Sequence, residues 1–165
     1  MNIFLAGIIQ GSIAEDRIHQ QDYRPALKAM LARALPDAAV FCPIENHPNS
    51  LAYSFDKGRD VFRFLITKAA EADVLLAFIP QASMGTAIEI WEAWNSGRLV
   101  IAISPLKSNW VVKYLTHKVF PTIEEFERFA ASGELAAFIA AWQKERETSG
   151  PIEAPQAPFP DACAS

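Results

Sequence analysis

Residues 73–96 read DVLLAFIPQASMGTAIEIWEAWNS, and this stretch indicates how the chain is built. Its first part, Asp73 to Ile79, is a short apolar run of the kind that forms a strand buried on both faces. A turn containing proline and glycine follows, and from Thr86 to Ser96 the apolar residues recur with the period of a helix. A buried strand followed by a helix is the repeating unit of a parallel α/β sheet.

The same pattern recurs along the chain. Apolar runs predict strands at Asn2 to Gly7, Ala39 to Pro43, Asp73 to Ile79, Leu99 to Ser104 and, more briefly, at Val119 and Phe120. Helical periodicity predicts helices at Tyr23 to Leu35, Asp56 to Ala72, Thr86 to Ser96 and Ser108 to Thr116, then one after the cap Thr122 and one from Glu134 to Glu147. We therefore expect an α/β fold, a Rossmann-like or flavodoxin-like parallel sheet of about five strands with helices on both faces.

Composition favours a single soluble domain. The chain has 165 residues, 51% of them hydrophobic, which suffices for one buried core. Its formal net charge of −4 argues against a nucleic acid polymer as partner, because such binders cluster Lys and Arg against phosphates. No segment reaches the ~20 apolar residues of a membrane span, and Met1 to Ile9 lacks the basic region of a signal peptide. We expect a cytoplasmic protein with no membrane partner.

Two further features concern the cysteines and the end of the sequence. Cys42 and Cys163 have no spacing that suggests a metal site or a disulfide framework, so we expect neither a metal nor another cofactor. After Glu147 the sequence loses its periodicity and becomes rich in proline and alanine. This divides the chain into one domain, residues 1–147, and a disordered tail, residues 148–165.

Glu89 lies where the strand of the opening stretch passes into its helix, and open α/β sheets bind ligands at such places. A helix start at Thr86 would put Glu89 in the first turn, where free backbone N–H groups and the helix dipole favour a negative charge. The same two residues also match a capping box, with Thr86 as N-cap and Glu89 bonding back to it. Residue type and spacing alone leave the reactive and the capping interpretations equally open.

Four motifs follow one another in a specific order. They are Ile3 to Ser12 at the first strand and its loop, Ala72 to Ala77 in the third strand, Ser83 with Glu89 around a glycine, and Gly97 to Ile101 with Ser104 and Pro105 beyond. Together they resemble the nucleoside 2-deoxyribosyltransferase superfamily, and most closely its deoxynucleoside 5′-monophosphate N-glycosidases. The resemblance runs from Met1 to about Tyr114. It implies an enzyme of small nucleosides or nucleotides and a homodimer or higher homo-oligomer with sites near the interface.

The resemblance gives several residues a role. Glu89 matches the nucleophilic glutamate, which forms a covalent glycosyl-enzyme, and Ser83 matches a phosphate-binding serine. Gly85 and Thr86 leave room for the sugar. The loop after the first strand would bind phosphate through backbone N–H groups, with charge added by Arg17; its residues are Gly7, Ile9, Gln10, Gly11 and Ser12. A plain tight turn is the alternative, and Gln10 stands where the monophosphate glycosidases tend to have arginine.

One position departs from the family pattern. Leu65 stands where family members carry a catalytic aspartate, so either another group protonates the leaving base or the site has a different activity or none. The candidates are Glu45 and His47, after the second strand, and Asp60, about one helical turn before Leu65. Each of the three also fits an ordinary surface role, since loop histidines and acids at helix starts need no catalytic function.

Asn109 belongs to a region that reaches the neighbouring subunit's site in the resembling families, and Ser108 before it is the predicted N-cap of the next helix. Asn109 is therefore a candidate ligand contact across an interface. The activity we expect is release of the base from a (deoxy)nucleoside or its 5′-monophosphate, with Glu89 as nucleophile. Transfer of the deoxyribosyl group to a second base is the nearest alternative. A non-catalytic nucleotide-binding module is the alternative from another class, since Leu65 carries no acid.

Overall fold

The computed structural model describes residues 1–10 and 17–149. Its strands are β1 (Asn2–Gly7), β2 (Ala39–Phe41), β3 (Val74–Phe78), β4 (Leu99–Ile103) and β5 (Lys118–Phe120). Its helices are α1 (Tyr23–Ala34), α2 (Pro43–Asn46), α3 (Phe55–Glu71), α4 (Met84–Asn95), α5 (Trp110–Tyr114), α6 (Ile123–Ala131) and α7 (Glu134–Ser149), with a short 3-10 helix at Ser50–Ala52. Residues 148 and 149 of the predicted tail are thus helical, and the rest of that tail lies outside the described residues.

The strands form one parallel sheet in the order β2-β1-β3-β4-β5. The predicted α/β fold with a five-stranded parallel sheet is therefore confirmed. β2 lies on one side of β1 and β3 on the other, so the direction of winding reverses between β1 and β3. Such a reversal leaves a crevice beyond the carboxyl ends of the two strands, because the helices that follow them lie on opposite faces.

Alternate residues of each strand pack against different helices, as the period of two requires. One face of the sheet, with Ile3 and Leu5 of β1, packs against α1, α6 and α7. The other face, with Phe4 and Ala6, packs against α3, α4 and α5. Helices therefore cover both faces, as predicted. Of the helices in the described part of the chain, none is both long and apolar enough to span a membrane.

A row of alanines brings α4 close to the sheet. Ala6 of β1 is in register with Ala77 of β3, which is in register with Ala102 of β4, and all three are fully buried. They lie on the face against which Ile90 and Ala93 of α4 pack. Small side chains at these three positions reduce the distance between helix and sheet, so the start of α4 lies against the carboxyl ends of β1 and β3.

Helix starts differ from the predictions at two places. α4 begins at Met84, and its N-cap is Ser83, whose Oγ accepts from the backbone N–H of Thr86 at 3.4 Å. The prediction of Thr86 as N-cap is therefore wrong, and so is a capping role for Glu89. The N-cap of α5 is Asn109, not the predicted Ser108. The Oδ1 atom of Asn109 accepts a hydrogen bond from the backbone N–H of Val111 at 3.0 Å.

Two other local features show what the pattern could and could not predict. Thr122 caps α6 as predicted, accepting from the backbone N–H of Glu125 at 3.3 Å. β2 ends at Phe41, two residues earlier than predicted, because Pro43 has no N–H for a sheet and instead begins α2. Neither α2 nor the 3-10 helix after it was predicted.

Candidate active site

A cavity of about 370 Å³ opens at the carboxyl ends of β1 and β3. Its walls come from the loop after β1, the 3-10 helix and the segment after it, α3, and the start of α4. The residues that line it are Gly7, Ile9, Gln10, Ser50, Leu51, Tyr53, Gly58, Val61, Phe62, Leu65, Ser83, Met84, Gly85, Thr86, Ile88 and Glu89. We call it the Glu89 cavity. It lies where the strand order reverses, which is where open parallel sheets bind ligands.

Glu89 is the buried acid of this cavity, with 7% of its surface exposed. It lies in the second turn of α4, and the stabilising effect of a helix start on negative charge fades within the first turn. Burial raises the pKa of the Glu89 carboxyl to about 8, and the positive charge of Arg24 opposes this rise. The expectation that Glu89 lies in the first turn of its helix is therefore wrong, and burial opposes the ionisation that a helix start would favour.

Arg24 of α1 reaches the end of β1 and is 1% exposed. β2 pairs with only the first half of β1, so the later carbonyl groups of β1 have no strand on that side. The guanidinium donates hydrogen bonds to the carbonyl oxygens of Leu5, at 2.9 Å, and Gly7, at 3.1 Å. It also donates to Oε1 of Gln21 at 2.6 Å. These acceptors are neutral. The positive charge of Arg24 acts on the carboxyl group of Glu89, where it offsets part of the rise in pKa that burial causes.

Tyr23, the neighbour of Arg24, occupies the space beside Gly7. Its ring packs on Phe78 with the centroids 4.4 Å apart, and its hydroxyl lies so close to Gly7 that a Cβ atom there would collide with it. Burial is the main reason why the pKa of Tyr23 is raised to about 12, so its hydroxyl stays protonated at neutral pH. Glycine at position 7 therefore allows the polar groups of α1 to reach the end of β1.

Solved structures with the same architecture include a 2-deoxyribosyltransferase from the psychrotolerant bacterium Bacillus psychrosaccharolyticus. It is 23% identical, with a TM-score of 0.59, and the match covers 77% of this chain and 90% of that chain. The chain has the 2-deoxyribosyltransferase fold. A conserved protein from Enterococcus faecalis V583 is 18% identical, with a TM-score of 0.56, over 80% of this chain and 98% of that chain. The resemblance expected from the four sequence motifs is confirmed at the level of the fold.

A third structure, the CMP N-glycosidase BcmB from Clostridium botulinum, is 19% identical with a TM-score of 0.48, over 80% of this chain and 99% of that chain. That likeness is too weak to carry an argument about this chain. No protein-family model matches the sequence, and no curated protein matches it either.

Within the 2-deoxyribosyltransferase fold, most of the predicted binding residues line one cavity with Glu89. They are Gly7, Ile9, Gln10, Ser83, Gly85 and Thr86. Ser83 Oγ accepts hydrogen bonds from the backbone N–H of Thr86 and from its hydroxyl, at 3.4 and 3.1 Å, so the proton of the Ser83 hydroxyl is available to a ligand. Arg17 lines a neighbouring cavity instead, and Gly11 and Ser12 lie outside the described residues.

None of the three predicted proton donors lines the Glu89 cavity, and two of them pair with basic side chains at the surface. Glu45 is exposed and forms an ion pair with Lys28 at 2.6 Å. Asp60 is exposed and lies 3.8 Å from Arg59. Leu65 does line the cavity, so the wall is apolar at that position. In the described part of the chain, no three His, Cys, Asp or Glu side chains converge as metal ligands do.

His47 is the third predicted donor, and it reaches the cavity through another residue. Its Nδ1 lies 3.2 Å from the hydroxyl of Tyr53, and Tyr53 lines the Glu89 cavity. Tyr53 could not be predicted as a site residue, because a tyrosine in an irregular segment before a helix cap follows no recognisable sequence pattern. Arg24 was missed for a related reason, since in an amphipathic helix it looks like an exposed residue.

Asn109 lies outside the Glu89 cavity and lines an apolar groove next to it. The groove shares Ser83 and Met84 with the cavity, and Met84 is 81% exposed. Beside Asn109, Trp110 is 78% exposed and packs edge-on against Tyr114. Within one chain, therefore, Asn109 caps α5 and does not line the Glu89 cavity, and large apolar side chains surround it at the surface.

Proposed function

We propose that this chain is an enzyme that cleaves or transfers the N-glycosidic bond of a small nucleoside or nucleoside 5′-monophosphate, with Glu89 as the nucleophile. The observation that carries the proposal is the buried carboxyl group of Glu89 in the wall of a cavity at the β1/β3 reversal. The chain shares its fold with a 2-deoxyribosyltransferase, and this likeness supports a reaction at the N-glycosidic bond. Hydrolysis and transfer differ only in whether water or a second base accepts the sugar.

In the proposed reaction, a carboxylate oxygen of Glu89 bonds to C1′ of the sugar while the bond from C1′ to the base breaks. The electron pair of that bond leaves with the base, which takes up a proton. Water or a second base then attacks C1′ and releases the Glu89 carboxylate. Positive charge develops on the sugar during both steps, and an ionised Glu89 beside it stabilises that charge.

The raised pKa of Glu89 has a consequence for this reaction. With a pKa of about 8, the carboxyl is largely protonated at neutral pH while the cavity is empty. Only the ionised form attacks C1′, so the rate with low substrate rises with pH until it levels off above about 8. The guanidinium of Arg24 keeps the pKa from rising further, because it stabilises the ionised form.

A 5′-phosphate would bind, on this proposal, between the loop after β1 and the start of α4. The Ser83 hydroxyl has its proton available, and the first backbone N–H groups of α4 have no acceptor within the helix. Gln10 adds an uncharged side chain at the same cavity. We therefore expect monophosphates to be preferred over nucleosides.

We also propose a homodimer or higher homo-oligomer, in which Asn109 of one copy faces the site of another. The supporting observation is the exposure of Met84, Trp110 and Tyr114 beside the Glu89 cavity, since large apolar side chains at one place on a surface are typical of interfaces. Sedimentation analysis of the parent and of Trp110→Ala tests it. Only monomers in the parent sample would contradict it.

The test of the reaction is base release by the parent and by Glu89→Gln, measured by liquid chromatography on a panel of nucleosides, 2′-deoxynucleosides and their 5′-monophosphates, each with and without a second free base as acceptor. Gln keeps the size of the side chain but cannot act as the nucleophile, so we expect at least ~1,000-fold slower release. Glu92→Gln, on the same helix and outside the cavity, is the matched control and should keep the parental rate.

The rival function is a non-catalytic module that binds intact nucleotide, and the apolar Leu65 in the cavity wall is the observation in its favour. The same panel separates the two. If the parent releases no base from any compound but binds one of them saturably in calorimetry, the rival function is correct. If Glu89→Gln releases base as fast as the parent, the reaction takes place without the proposed nucleophile.

A further inference from the structure

The proposed reaction needs a proton for the leaving base, and the described residues that line the cavity include a tyrosine whose hydroxyl is linked to a titratable group. Tyr53 lines the Glu89 cavity from the segment between the 3-10 helix and α3, so it approaches a bound ligand from a different element than Glu89 does. Its hydroxyl lies 3.2 Å from Nδ1 of His47. His47 itself does not line the cavity.

The imidazole of His47 is held in place by two aromatic rings. It meets the ring of Tyr53 edge-on, with the ring planes at 90° and the centroids 6.0 Å apart. It also meets the ring of Phe64 edge-on, with the planes at 78° and the centroids 6.2 Å apart. Edge-on contacts of this kind fix a ring's orientation. His47 is also half-buried, in the segment that follows α2. Its Nδ1 is therefore directed at the Tyr53 hydroxyl by packing as well as by hydrogen bonding.

A positive charge lies over the ring of Tyr53. The Nζ atom of Lys57, in the first turn of α3, is 4.0 Å from the ring centroid. An ammonium group over a ring is attracted to its electron density, and the attraction grows if the ring becomes negatively charged. Lys57 therefore stabilises the phenolate that remains when the hydroxyl gives up its proton.

We propose that Tyr53 is the general acid that protonates the leaving base, and that His47 is a positioning residue that holds the hydroxyl and restores its proton. The inference rests on the proposed function, and it fills the role for which Leu65 provides no acid. As the bond from C1′ to the base breaks, the electron pair goes to the base nitrogen and the Tyr53 proton moves to the base. The phenolate takes the Nδ1 proton of His47 while Nε2 of the same ring takes up a proton from solvent, so the imidazole stays neutral and later exchange with solvent restores the Nδ1 proton.

The experiment compares pairs of substrates that differ in their need for a proton. One member is the nucleoside or monophosphate that the parent cleaves. The other carries a base methylated on a second ring nitrogen, such as N7-methylguanine or N3-methylcytosine, which is already cationic and leaves without taking up a proton. A general acid speeds only the first member, whereas a residue that shapes the cavity affects both.

Tyr53→Phe should slow release of the ordinary base by at least ~100-fold and leave release of the methylated base within about threefold of the parent. Thr67→Val removes a hydroxyl from an exposed position of α3 outside the cavity, so it is the control and should match the parent on both substrates. Equal losses on the two substrates, or no loss on either, would overturn the acid assignment.

His47→Gln is the second variant, because an amide still hydrogen-bonds the Tyr53 hydroxyl but cannot return a proton. It should slow release of the ordinary base by ~10-fold or more and leave release of the methylated base unchanged. The pH dependence of the release rate should change for the ordinary substrate alone. Full activity of His47→Gln would limit His47 to a structural role and contradict the relay. A parent that cleaves neither substrate would overturn the proposed function and the acid assignment with it, whereas an active parent with fully active variants overturns the inference alone.

Discussion

The Glu89 cavity has two walls that are built in different ways. The sheet wall is the end of β1 with the start of α4, and behind it lie the buried side chains of Arg24 and Tyr23. The loop wall is the 3-10 helix, the segment up to Tyr53 and the exposed half of α3, where Phe62 is 42% exposed. Polar groups of the sheet wall are desolvated and tightly packed, whereas those of the loop wall keep contact with water.

This difference separates two kinds of residue in one site. A change in the sheet wall disturbs buried hydrogen bonds or buried charge, so it alters the stability of the protein together with the chemistry. A change in the loop wall removes little buried surface, so it alters what the cavity does to a ligand and leaves stability almost unaffected. Four substitutions test this contrast, from the largest expected effect to the smallest.

Arg24→Met should destabilise the protein by about 3 to 5 kcal/mol, because it leaves the carbonyl groups of Leu5 and Gly7 buried without a donor. Urea denaturation measures the loss. Arg98→Met is the matched control, since Arg98 is only partly buried and donates to the carbonyl of Ala70; about 1 kcal/mol is expected there. Equal losses in the two variants would mean that Arg24 is not a special support of the sheet wall.

Above pH 8, Glu89→Gln should have a larger free energy of unfolding than the parent. Near pH 4, the two should be equally stable. Below the ordinary carboxyl pKa of 4.5 the group is protonated in the folded and the unfolded chain, so pH has no effect through it. Between 4.5 and about 8 the unfolded chain ionises and the folded one does not, so the parent loses stability as pH rises. The expected difference is about 2 to 4 kcal/mol at high pH.

Denaturation of the parent, Glu89→Gln and Glu92→Gln at a series of pH values measures this difference. Glu92→Gln should follow the parent throughout, since its side chain lies outside the cavity. A constant gap between Glu89→Gln and the parent from pH 4 to 9 would show that the Glu89 carboxyl is not desolvated, and the sheet wall would then be wetter than its packing indicates.

Gly7→Ala should cost about 1 to 3 kcal/mol, because the new methyl group meets the Tyr23 hydroxyl and lies 3.2 Å from the carbonyl oxygen of Phe78. Tyr23→Phe removes the hydroxyl, so the double variant Gly7→Ala with Tyr23→Phe should recover most of the loss. Thermal denaturation of the two single variants and the double variant gives the coupling between the sites. Strictly additive losses would mean that Tyr23 does not determine the space beside Gly7.

The fold could be predicted because its signals are repeated. Each buried strand is an apolar run and each helix has its own period, so strand positions such as β1 and β4 agreed with the prediction to within about one residue. Cap positions were less certain, because Ser83 and Thr86 are both good caps and only the path of the chain decides between them. The segment from Pro43 to Ala52 has neither period, so its two short helices could not be predicted.

The site was predictable only on its sheet wall. Glu89 could be found because it follows a strand, a turn and a helix start in the expected order. Arg24 could not, because its burial follows from the early end of β2, which leaves carbonyl groups of β1 without partners. Tyr53 could not either, because its link to His47 joins residues on both sides of the unpredicted 3-10 helix.

The smallest effect is expected for Gly58→Ala in the loop wall, and it has the opposite sign. Gly58 lies inside α3 and lines the Glu89 cavity, and a Cβ atom there would meet nothing within 4 Å. Alanine in a helix interior is better than glycine, so stability should rise by about 0.5 to 1 kcal/mol. The added methyl group points into free space, so turnover should change less than it does in Gly7→Ala. A loss of stability in Gly58→Ala would mean that α3 packs against something at this position, and the contrast between an open and a packed wall would then have to be abandoned.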